Sequence, residues 1–158
     1  MNVGLRIRFA TIDDDRLAAL SPSRWRRKAD GMRFVREQRQ ELVAGGLLAD
    51  MLSELGLREP FEIQVTPSGK PLLPGGGCHF NLSHSDGVVM CVLADDPVGC
   101  DVERLAPLDD ELEREIGSIE KWTLKEAAFK CGEADAVARS VPAPEGYAAA
   151  IAMAAGKW

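Results

Sequence analysis

The chain has 158 residues, 46% hydrophobic and 28% charged, a balance that suits one globular domain, or two small halves sharing a core, and excludes a disordered chain. Lysine and arginine number 19 against 25 aspartates and glutamates, and the formal charge of −6 is too acidic for non-specific nucleic-acid binding, so any anion site has to be local. No apolar run approaches the roughly 18 residues that span a bilayer, and Met1 to Asp15 lacks a secretory apolar core, so a soluble cytoplasmic protein without a membrane partner is expected.

In chain order, Val3 to Ile12 alternates Leu5, Ile7 and Phe9 with Arg6 and Arg8, the period of a half-buried strand. A basic stretch from Arg24 to Lys28 leads into a helical pattern from about Met32 to Leu55. Gly45-Gly46 interrupts that pattern, so either the helix breaks there or another backbone packs against it. Phe61 to Val65 reads as a strand, and Thr66 to Pro71 as a turn-rich segment running on to Gly75-Gly76-Gly77. Gly87 to Ala94 is almost wholly apolar, as in a strand buried on both faces. Val98 to Glu103 follows across Asp95-Asp96-Pro97, and the two are read as a hairpin. A second helix is expected from about Ile119 to Lys130. The Ala-rich run after Gly146-Tyr147 favours helix by propensity, while Pro142, Pro144 and its shortness leave a terminal strand open. Cys78, Cys91, Cys100 and Cys131 show no CxxC spacing and read as reduced, packed thiols.

Strand alternation puts Val98, Cys100 and Val102 on one face and Gly99, Asp101 and Glu103 on the other. The two carboxylates then project together, with Cβ atoms roughly 6.5–7 Å apart, close enough to share one hard cation. A solvated strand face has the same pattern, and Gly99 leaves room for a ligand or another backbone. In the expected hairpin, paired residue numbers sum to about 191 and Glu103 lies opposite about Val88, which brings Asn81 to Asp86 to the carboxylate end. Ser83, Ser85 and His84 are donors suited to phosphate, although serines there also commonly cap a turn. No GxSxG elbow accompanies them, so a nucleophilic serine is not expected. Trp122, Glu126 and Lys130 are spaced i, i+4 and i+8 along one helix face, with Trp122 read as a core anchor. Glu126 and Lys130 are either a surface pair or a third carboxylate for a magnesium site with a lysine to meet phosphate charge.

Taken in order, Gly69-Lys70-Pro71, Phe80-Asn81-Leu82-Ser83-His84-Ser85, Val98-Gly99-Cys100-Asp101-Val102-Glu103 and Trp122-Thr123-Leu124-Lys125-Glu126-Ala127 with Lys130 resemble a phosphopantetheinyl transferase of the Sfp type, as a short member. The likeness runs from Gly69 to Gly132, with a looser likeness over Leu20 to Leu55 and at Gly146-Tyr147. It implies an α+β fold of two similar halves, 1–97 and 98–158, related by a pseudo-twofold axis with the second half shortened. It also implies coenzyme A in the cleft between the halves. In that reading Asp101, Glu103 and Glu126 hold Mg²⁺ on the diphosphate, and Glu126 accepts the proton of a serine on an acyl or peptidyl carrier protein. Lys130 neutralises the diphosphate, while Ser83, His84 and Lys70 bind phosphate, and Arg24 and Arg27 reach the same phosphate. Phosphoryl transfer depends on such positioning and charge stabilisation. Whether the carrier serves fatty-acid, polyketide or non-ribosomal peptide synthesis stays open, as does monomer against self-association.

Three features depart from the family pattern. The interval 104–121, which normally helps form the carrier surface, is short. Gly132 to Gly146 is short too, so strands of the second half are expected to be missing, for a second chain to supply. Gly45-Gly46 stands where relatives often place a basic residue. Two other readings use the same residues: a non-catalytic descendant binding coenzyme A or a carrier protein, and a metal-dependent phosphodiesterase.

Overall fold

A computed structural model describes residues 2–75 and 77–158; Met1, and Gly76 of the expected triple-glycine turn, lie outside the described residues. The elements in order are β1 (Arg6–Thr11), α1 (Asp15–Ala19), α2 (Ser23–Asp30), α3 (Val35–Ser53), β2 (Gln64–Val65), β3 (Pro71–Leu72), β4 (His79–Ser85), β5 (Val88–Ala94), β6 (Val98–Arg104), α4 (Asp110–Ile116), α5 (Ile119–Cys131), β7 (Ala136–Val141) and β8 (Tyr147–Ala154).

The apolar run of β5 is buried along its whole length because it is the middle strand of an antiparallel sheet, β1-β5-β4. Its alternate side chains feed two cores. Val89, Cys91 and Leu93 join Leu47, Leu48, Met51 and Leu52 of α3. Val88, Met90 and Val92 face Val98, Cys100 and Val102 of β6 and Ala149, Ile151 and Met153 of β8. The other face of β8, Ala150 and Ala152, packs on Ala127 and Cys131 of α5. The layers therefore run α3, first sheet, second sheet, α5. Each large apolar side chain enclosed this way contributes about 1.5–3 kcal/mol by leaving water.

The expected hairpin across Asp95-Asp96-Pro97 does not form. β5 pairs with β4, with Ser85 opposite Val88, and β6 pairs with β8, with Glu103 opposite Ala148. The reversal between β4 and β5 is Asp86-Gly87, both at positive φ (39° and 97°), the two-residue turn whose twist suits a hairpin. Asp95-Asp96-Pro97 is instead a crossover between sheets, and the Asp95 carboxylate accepts the Val3 and Gly4 N–H groups at 2.8 and 2.9 Å.

The second half is more complete than its length suggests. Residues expected to be short of strands form β7, and the Ala-rich run is strand β8, giving an antiparallel sheet β6-β8-β7. Burial on both faces overrides the helical propensity of alanine there. The expected strand at Phe61 to Val65 contracts to Gln64–Val65, paired with β3. Gly45-Gly46 does not break α3. A Cβ on Gly46 would overlap the Leu17 carbonyl, and one on Gly45 would press on Ser21 and Trp25, so the glycines admit α1 and α2. All four cysteines are free and buried. Among the described residues, no helix is long and apolar enough to cross a membrane.

Candidate active site at the seam between the sheets

β4 and β6 run side by side without backbone pairing to each other; polar side chains of β4 take the place of a strand partner. Asn81 Oδ1, Ser83 Oγ and Ser85 Oγ accept the N–H groups of Cys100, Val102 and Arg104 at 2.8, 3.2 and 3.1 Å. The same two hydroxyls donate to the carboxylates of the neighbouring residues, Ser83 to Asp101 Oδ1 at 3.1 Å and Ser85 to Glu103 Oε2 at 3.2 Å. The serines and the carboxylates thus meet as the sequence suggests, but through a parallel side-chain seam rather than a hairpin.

Asp101 and Glu103 stand together beneath α5. Helix α5 begins at Ser118, whose hydroxyl accepts the Lys121 N–H at 3.1 Å, and stops at Gly132 in the left-handed region. It lies against β6 where Gly99 has no side chain, since a Cβ there would overlap Ala127 and Cys131 backbone. That approach brings Lys130 over the strand. Its Nζ donates to Asp101 Oδ1 at 2.6 Å and to Ser83 Oγ at 3.2 Å. The Asp101 side chain is only 3% exposed, and its second oxygen, Oδ2, is buried without a hydrogen-bond partner among the described residues. Burial and the neighbouring Asp101 charge raise the Glu103 pKa above the ordinary carboxylate value. An orphaned carboxylate oxygen beside a crowded second carboxylate is a donor set that fits a hard divalent cation.

Glu126 is on α5 one turn before Lys130 and is half-buried. The structure brings two carboxylates and one lysine together, not three carboxylates: among the described residues, no group of three His, Cys, Asp or Glu side chains is arranged to hold a metal ion. Trp122 is half-buried, with Lys125 Nζ 5.7 Å from its ring centroid.

Lys70 does not present its charge to a phosphate. Its ammonium donates to the carbonyls of Val98, Lys130 and Cys131 at 3.0, 2.7 and 3.2 Å, using all three of its protons. It fastens the end of α5 to the start of β6, where the partial negative charge of the helix terminus suits a cation. Burial lowers its pKa. Ser83 is likewise occupied, with its single proton on Asp101.

His84 points to the opposite side of β4 from Ser83 and remains exposed. Desolvation lowers its pKa; Glu41 opposes that, and the positive charges of Lys130 and Lys28 add to it. Lys28 on α2 pairs with the buried Glu41 of α3 at 2.9 Å. Arg24 and Arg27 instead border a separate hollow of about 250 Å³ with Pro60 and Phe61. Lys28 and Lys130 are thus the cations whose charge acts on His84, Lys130 from the Ser83 side of the strand. Lys28 has a helical signal, three residues beyond the buried Trp25, a spacing that Arg27 does not share.

No protein-family model matches the chain. Among curated proteins, it is 31% identical to 4'-phosphopantetheinyl transferase gsp of Aneurinibacillus migulanus over an 81-residue alignment that covers 39% of this chain and 34% of the relative. It is 29% identical to 4'-phosphopantetheinyl transferase psf-1 of Bacillus pumilus over 100 residues, 61% of this chain and 43% of the relative. The chain thus spans less than half the length of these two relatives in the matched regions. With both matches bearing that name, and with the ordered motifs from Gly69 to Lys130 in place, the chain is related to the Sfp-type 4'-phosphopantetheinyl transferases.

Proposed function

We propose that this chain transfers the phosphopantetheine arm of coenzyme A to a serine hydroxyl of an acyl or peptidyl carrier protein, using magnesium. The observation that carries the reading is the meeting of Asp101, Glu103 and Lys130 at one end of the β4–β6 seam, with Asp101 Oδ2 buried and unpartnered among the described residues. We read the two three-stranded sheets, each with one long helix on an outer face, as the two similar halves of the family fold, with the cleft between them for coenzyme A.

Asp101 and Glu103 would hold the ion. A bound magnesium ion would withdraw charge from the coenzyme A diphosphate. Lys130, paired with Asp101, would neutralise part of the same charge. Glu126 would take the proton of the carrier serine as its oxygen bonds to the β-phosphorus of coenzyme A. The bond from that phosphorus to the bridging oxygen breaks, and adenosine 3',5'-bisphosphate leaves. His84 with Lys28 would receive the 3'-phosphate, in place of Lys70, Arg24 and Arg27. Incubation with coenzyme A, magnesium chloride and an apo carrier protein should add one phosphopantetheine to the carrier by intact mass, and Asp101→Ala should abolish the gain. Full activity in that variant would defeat the assignment.

The convergence of two carboxylates rather than three favours one second reading, a coenzyme A-binding descendant without turnover. Calorimetric binding of coenzyme A with no mass gain on any of several carriers would select it.

A further inference from the structure

The Ser83 hydroxyl has one proton and two lone pairs, and each has a partner. The proton goes to Asp101 Oδ1 at 3.1 Å, and the lone pairs face the Val102 N–H and Lys130 Nζ, both at 3.2 Å. Ser85 repeats the plan one step along the strand, donating to Glu103 Oε2 and accepting the Arg104 N–H. Two serines on one strand thus each clasp a backbone N–H and its neighbouring carboxylate on the next strand, in register. Hydroxyls committed this way have no proton left for a phosphate oxygen.

We propose that Ser83 and Ser85 are positioning residues that aim Asp101 and Glu103 at a shared divalent cation, and that they are not phosphate ligands. The inference rests on the metal reading given above. A hydrogen bond to one oxygen of a carboxylate fixes its plane and leaves the other oxygen free to coordinate, the usual work of groups just behind a metal ligand. At Asp101 that arrangement is visible: Oδ1 carries the Ser83 and Lys130 bonds, and Oδ2 has no partner among the described residues. Serine donation also eases the repulsion between two carboxylates held side by side.

The test is manganese binding to the purified full chain, read by electron paramagnetic resonance, beside calorimetric binding of adenosine 3',5'-bisphosphate in EDTA. Ser83→Ala and Ser85→Ala should each weaken manganese binding, toward the roughly 10- to 100-fold typical of lost groups behind a metal ligand, and change nucleotide affinity less than twofold. Ser85→Thr, which keeps the hydroxyl, should restore manganese affinity. Should Ser83→Ala fail to fold, Ser85→Ala and Ser85→Thr decide the matter, because the Arg104 N–H they serve is exposed and water can satisfy it. Unchanged manganese affinity in a folded Ser85→Ala, or a loss confined to the nucleotide, overturns the positioning role while leaving the metal reading standing. Absence of manganese binding by the unaltered chain overturns the metal reading, and this inference with it.

Discussion

A Cβ on Gly99 would overlap the carbonyl oxygen of Ala127, so the strand that carries Asp101 and the helix that carries Lys130 meet backbone to backbone at Gly99. The contact sets the height of α5 above β6 and hence the 2.6 Å approach of Lys130 Nζ to Asp101. Gly99→Ala should therefore cost about 3 kcal/mol or more, the upper range for overpacking, because backbone rather than a flexible side chain has to move. Urea denaturation of the pure chain measures it, and a loss under about 1 kcal/mol would mean that α5 rides on β6 more loosely than the contact implies.

Lys70 gives a second prediction. Lys70→Met removes the ammonium from the Val98, Lys130 and Cys131 carbonyls while keeping a long, unbranched side chain. Hydrogen bonds to charged groups contribute about 1.5–3 kcal/mol, so stability should fall within that range. A phosphate ligand would behave differently. Its removal would leave the urea midpoint unchanged or raised and would weaken adenosine 3',5'-bisphosphate binding chiefly at low salt, where charge attraction is least screened.

Those two residues also mark where the sequence was legible. The alternation of Val98 to Glu103 placed Gly99, Asp101 and Glu103 on one face, and the structure keeps them there, because period two is a property of the strand itself. The strand's partner was not legible from that run. Adjacency in sequence suggested pairing with β5, yet β5 is enclosed by β1 and β4, and the stronger local signal was Asp86-Gly87, which nucleates the β4–β5 turn. Ser83 and the carboxylates were rightly placed together by the wrong pairing. Lys70 and Ser83 looked like free donors because sequence records the donor and not the acceptor; their acceptors lie 28 to 61 and 18 residues away. Gly45-Gly46 was ambiguous for the same reason, since Leu17, Ser21 and Trp25 come near it only after folding.

Asp86 supplies a pH dependence. Its carboxylate takes hydrogen bonds from Arg104 on β6 and from Arg36 on α3, the latter at 2.7 Å, and Arg104 above all holds its pKa below the usual aspartate value. A folded-state pKa lower than the unfolded one contributes stability at pH above the unfolded value of 3.8, and the contribution is lost as pH falls through the folded value. Asp86→Asn keeps a residue tolerant of positive φ, so the turn survives while the charge is removed. The variant should be less stable than the parent at pH 7, with the gap closing as pH drops below 4. Urea midpoints at pH 7, 5 and 3 give the comparison, and a gap independent of pH would assign the effect to the turn.

The balance of charge around His84 leads to the last prediction. Lys28 is tied to Glu41 at 2.9 Å, and Glu41 is buried, so its negative charge offsets the cations proposed to hold the 3'-phosphate. Glu41→Gln leaves a neutral group of the same shape and releases Lys28. It should tighten adenosine 3',5'-bisphosphate binding several-fold, whereas Lys28→Ala should weaken it about tenfold, near 1.4 kcal/mol. Arg24→Ala should change it less than twofold, because Arg24 borders the hollow with Pro60 and Phe61. Calorimetry in EDTA separates the three, since chelation keeps any metal out of the measurement. The opposite signs matter: a folding defect in Lys28→Ala or Glu41→Gln would weaken binding in both, and only an electrostatic contribution raises affinity in one while lowering it in the other. Equal losses in Arg24→Ala and Lys28→Ala would move the phosphate site toward Pro60 and away from His84.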